Sequence, residues 1–186
     1  MSDPPLWEDV APYLVHSRQS FELGAKRAEE IAAFLRGTLE SSHVDVVLRG
    51  DGPGPEYGSC TLFFVALDDA GRPVPSRPDA QIHQGLYIAV SERAPLVTSR
   101  GSEFLMERQS WAGGRECPTP HASKSACEIA KSLAKLVADR FGLKYVDADW
   151  LRQFKLSPKE LPWEDVRASL DLDEPTALNI LFDENC

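Results

Sequence analysis

The spacing of apolar residues changes period several times along the chain, and each change marks an element. Trp7 to Val15 reads as a short helix, with Asp9 as a candidate N-cap and Pro12 near its start. A longer helix is expected from about Gln19 to Glu40. Ala28, Ile31, Ala32, Leu35 and Leu39 recur there at three- and four-residue steps, while Lys26, Arg27, Glu29, Glu30 and Arg36 lie mostly off that stripe. Such a helix lies with one face on a sheet. The period then becomes two: Val44, Val46 and Leu48 alternate with Asp45, Val47 and Arg49, as in a half-buried strand. Gly50 to Pro55 breaks the strand as a loop. Cys60 to Leu67 is almost continuously apolar, the pattern of a strand buried on both faces.

After a turn at Asp68–Pro73, the stretch Val74 to Gln84 has no period and is expected to be irregular. Gly85 to Ser91 is another strand. Pro95–Ser99 and Glu103–Trp111 are expected to pair as a hairpin about Ser99-Arg100-Gly101-Ser102. Trp111 to Ala122 reads as a long loop. A second main helix starts near Ser123, with Ala126, Ile129, Ala130, Leu133, Val137 and Phe141 on one face and Gly142 suited to its C-terminal cap. Asp147 is a candidate cap for a short helix carrying Trp150, Leu151 and Phe154, and Ser157-Pro158-Lys159-Glu160 reads as the start of another. Ala177 to Phe182 is apolar again, either a strand or a segment docked on the core.

Consecutive strands without intervening helices disfavour a parallel fold, whose crossovers need them. The expected fold class is therefore α+β. It has an antiparallel sheet of about 4–6 strands, two main helices on one face and a small helical C-terminal segment. At 186 residues, with 42% apolar and 26% charged positions, the chain suits a single domain with a real core. The expected division is a core over 1–146 and an acidic, aromatic segment over 147–186 docked on it.

Charge alters the functional picture. The net charge is −9, which repels phosphate backbones and anionic lipid and favours a basic partner, so neither nucleic acid nor membrane is an expected target. The imbalance is local. Lys159 to Cys186 holds eight acids and two bases, whereas Arg100 to Lys144 holds eight bases and five acids. Trp150, Phe154, Leu161 and Trp163 cluster near the acidic end, either as packing that pins it or as anchors inside an acidic rim. The start, Met1-Ser2-Asp3-Pro4-Pro5, lacks the basic-then-apolar order of a secretory signal, no apolar run approaches a membrane span, and no Cys-x-x-Cys pair occurs. The expected setting is the cytoplasm, with reduced thiols.

Candidate chemistry is sparse. Gly50-Asp51-Gly52-Pro53-Gly54 lacks the lysine and helix entry of a phosphate loop, and its prolines remove amide donors. Cys117, His121 and Cys127 match no zinc spacing, so no metal and no cofactor is expected. Neighbouring acids such as Asp68/Asp69 and Asp147/Asp149 fit turns and caps, and His16, His43 and His83 are scattered. The stretch Gly113 to Lys124 is the alternative site: Cys117 and His121 as a thiolate–imidazole pair, with Arg115, Ser123 and Lys124 holding an anion at a helix start. The favoured expectation is a protein-binding module rather than an enzyme, of an immunity, inhibitor or acidic-chaperone type. Trp163, Glu164, Asp165, Asp171 and Asp173 would meet a basic protein, and a homodimer is allowed.

Overall fold

The computed structural model describes residues 7–15, 23–41, 44–48, 60–68, 72–74, 81–92, 94–106, 116–117, 124–156 and 176–182. The fold is α+β. Its helices are α1 (Trp7–Val15), α2 (Gly24–Thr38), α3 (Lys124–Phe141), α4 (Ala148–Arg152) and α5 (Ala177–Phe182). Its strands are β1 (Asp45–Leu48), β2 (Cys60–Leu67), β3 (Pro73–Val74), β4 (Gln81–Ser91), β5 (Leu96–Met106), β6 (Glu116–Cys117) and β7 (Lys144–Tyr145). One sheet runs in the order β1-β2-β4-β5-β6, with β3 paired to β2 and β7 to β5. All pairs are antiparallel except β5–β7, which α3 connects as a parallel crossover.

Strand β2 explains why its sequence is apolar throughout. Phe63, Val65 and Leu67 face α2 and α3, together with Leu86, Ile88, Val90 and Val97 of the neighbouring strands. The alternate residues Cys60, Phe64 and Ala66 face α1, α4 and α5, together with Tyr87, Ala89 and Leu96. The two main helices share one face, as their stripes predict. Ile31, Ala32 and Leu35 of α2 and Ala130, Leu133, Ala134 and Val137 of α3 are buried there. The helices are also tied directly: the Arg27 guanidinium donates to the Phe141 carbonyl, and the Phe34 and Phe141 rings meet edge-on at 5.7 Å. The other face is covered too. Val10 and Leu14 of α1, Leu151 of α4 and Leu178, Leu181 and Phe182 of α5 form a second apolar layer.

Several local expectations are corrected. The hairpin about Ser99–Ser102 does not form. Those residues lie within β5 and pair with β4 in the register Ile88↔Ser99, Tyr87↔Arg100, Leu86↔Gly101 and Gly85↔Ser102. Their small, polar composition imitates a turn, but a long antiparallel ladder against β4 outweighs that local preference. The same ladder extends β4 back to Gln81, into a stretch expected to be irregular, because Gln81 finds its partner in Met106. Where the expected turn ends and that stretch begins, Pro73–Val74 forms the edge strand β3, and a proline at the first position removes no needed donor. Glu116 and Cys117, expected in a loop, pair with Phe104 and Glu103. The sheet is antiparallel as expected apart from the short parallel pairing of β7 with β5. The apolar end is settled as helix α5, and the helix expected at Ser157 lies outside the described residues.

Candidate functional site

The acidic segment is rooted in the second apolar layer, and its root is well defined. Lys155, just after α4, and Thr176, just before α5, pair as an antiparallel bridge. The Ala177 N–H donates to the Phe154 carbonyl at 3.0 Å beside it. Trp163, Glu164, Asp165, Asp171 and Asp173 fall between those two positions and lie outside the described residues. The stretch 156–175 between them carries six acids against two bases.

Each side of the root is locked by short-range chemistry. On the near side, Asp147 caps α4, its Oδ1 accepting the N–H groups of Asp149 at 3.0 Å and Trp150 at 3.4 Å. Leu151 is fully buried, and the rings of Trp150 and Phe154 meet edge-on at 4.6 Å. On the far side, Thr176 and Asn179 form a reciprocal cap. The Thr176 N–H donates to Asn179 Oδ1 at 2.8 Å, and the Asn179 N–H donates to Thr176 Oγ1 at 3.4 Å. The last carbonyls of α5, which a helix end leaves unpaired, are taken by the sheet. Ser91 Oγ donates to Leu181 O at 2.8 Å and Cys60 Sγ to Phe182 O at 3.0 Å, both buried. Residue spacing had flagged the Asp147 cap. The Thr176-x-x-Asn179 cap was also readable, as a variant of the capping box, and would have identified α5 as a helix.

Among the described residues, the titratable groups with displaced pKa values gather at the α3–β7 edge, where α4 begins. Tyr145 is half-buried, and burial pushes its phenol up, against the opposing pull of a hydrogen bond with Ser99. The ammonium groups of Lys131 and Lys135 lie 6.0 Å and 5.6 Å from its ring centroid, in the range of cation–π attraction. Lys131 is held above its usual range, chiefly by its hydrogen bond to Asp147 and then by the charge of Tyr145. For Asp147, burial would raise the carboxyl. The Lys131 hydrogen bond and charge, with the Trp150 and Asp149 N–H groups, outweigh burial and lower it. At neutral pH, Asp147 is ionised, Lys131 charged and Tyr145 protonated. None is poised to exchange a proton there, as a general acid or base must be. The cluster clamps β7 and α4 to α3. Nothing in the sequence singles out Tyr145, because its partners come together only through the β5–β7 pairing.

The alternative site falls mostly outside the described residues. Cys117 ends strand β6 and Lys124 begins α3, while Arg115, His121 and Ser123 lie outside the described residues. Among the described residues, no three His, Cys, Asp or Glu side chains gather in a way that could hold a metal ion, and no helix is long and apolar enough to cross a membrane. The chain matches no family model, no curated protein and no solved structure.

Proposed function

We propose that the protein is a binding module of the cytoplasm that engages a basic protein through its acidic C-terminal segment, in the manner of an inhibitor, an immunity protein or an acidic chaperone. The observation that supports this reading is the root. Six acids lie on one stretch whose two ends are pinned side by side at Lys155 and Thr176 on a buried layer. Fixing both ends limits the chain entropy that binding must still remove. Clustered negative charge speeds encounter with a basic surface, and Trp163 within the stretch would supply the slow-release anchor.

The test is charge reversal in the intact protein, with Glu164→Lys, Asp165→Lys, Asp171→Lys and Asp173→Lys combined. Circular dichroism and thermal melts of the variant check that the fold is retained. The partner's affinity is expected to fall at least about tenfold at low salt and to lose most of its salt dependence. An affinity and a salt dependence equal to those of the native protein would refute the proposal.

A further inference from the structure

We draw no further inference here: the strongest candidate, the half-buried patch of Tyr13, Trp150, Phe154 and Leu156 around the Lys155–Thr176 bridge, belongs to the surface already proposed, and nothing in the structure shows what covers it.

Discussion

Asp147 serves three donors with one carboxylate, and its two roles can be separated. Oδ1 caps α4, while Oδ2 accepts from Lys131 at 3.2 Å. Asp147→Asn keeps an oxygen for the cap and removes the charge. The pair is about half exposed, so the loss at neutral pH should be under about 1 kcal/mol. Asp147→Ala removes the cap as well and should cost about 1 kcal/mol more in denaturant unfolding. The pH dependence has a definite sign. The folded carboxyl sits below its ordinary 3.8, so the ion pair stabilises above that value and is lost as pH falls through the lowered one. The gap between native protein and Asp147→Asn should therefore close in acid; a gap that widened there would contradict this account. Thr98 gives a prediction of opposite direction. Its hydroxyl is buried on β5 and has no hydrogen-bond partner among the described residues. Thr98→Val should be neutral or stabilising by up to about 1 kcal/mol, and a loss larger than that would show the hydroxyl to be partnered.

The two main helices end in the same motif with different residues. After α3, Gly142 takes φ +64° and the Leu143 N–H reaches back to the Ala138 carbonyl at 2.9 Å. After α2, Glu40 takes φ +50° while Ser41 reaches Arg36 at 3.0 Å and Glu40 reaches Gly37 at 3.3 Å. These are Schellman closures, which favour glycine at the left-handed position. Gly142→Ala should destabilise by about 1 kcal/mol although a Cβ there meets nothing within 4 Å, because the cost is conformational. Glu40→Gly should stabilise by a few tenths to about 1 kcal/mol, and thermal melts of both variants check the pair. At α5, Ser91→Ala would leave the buried Leu181 carbonyl short of a donor and should cost about 1–3 kcal/mol. At this scale the sequence was readable where one local signal decided the outcome: the stripe of α3, its Gly142 stop, the Asp147 cap and the two-sided burial of β2. It misled where a distant partner decided. Ser99–Ser102 looks like a turn until β4 is laid beside it, and the β7 pairing has no local signature at all.

For the molecule as a whole, the α+β class and the shared face of α2 and α3 followed from helix stripes and consecutive strands. The second face did not. Val10 and Leu14 of α1 and Leu178, Leu181 and Phe182 of α5 come from opposite ends of the chain, and no spacing in the sequence joins them. That layer matters for the function proposed, because it anchors both ends of the acidic stretch. Acidity and aromatic content were legible as composition; the root at Lys155 and Thr176 was not, since it depends on the long-range docking of α5. The most direct test is a native pull-down from the source cells at low and high salt, with the native protein and the four-lysine variant side by side, read by mass spectrometry. The account predicts a stoichiometric basic protein on the native bait at low salt, released at high salt and absent from the variant. A bait that retains no basic protein at low salt, or one retained equally by both, would contradict it.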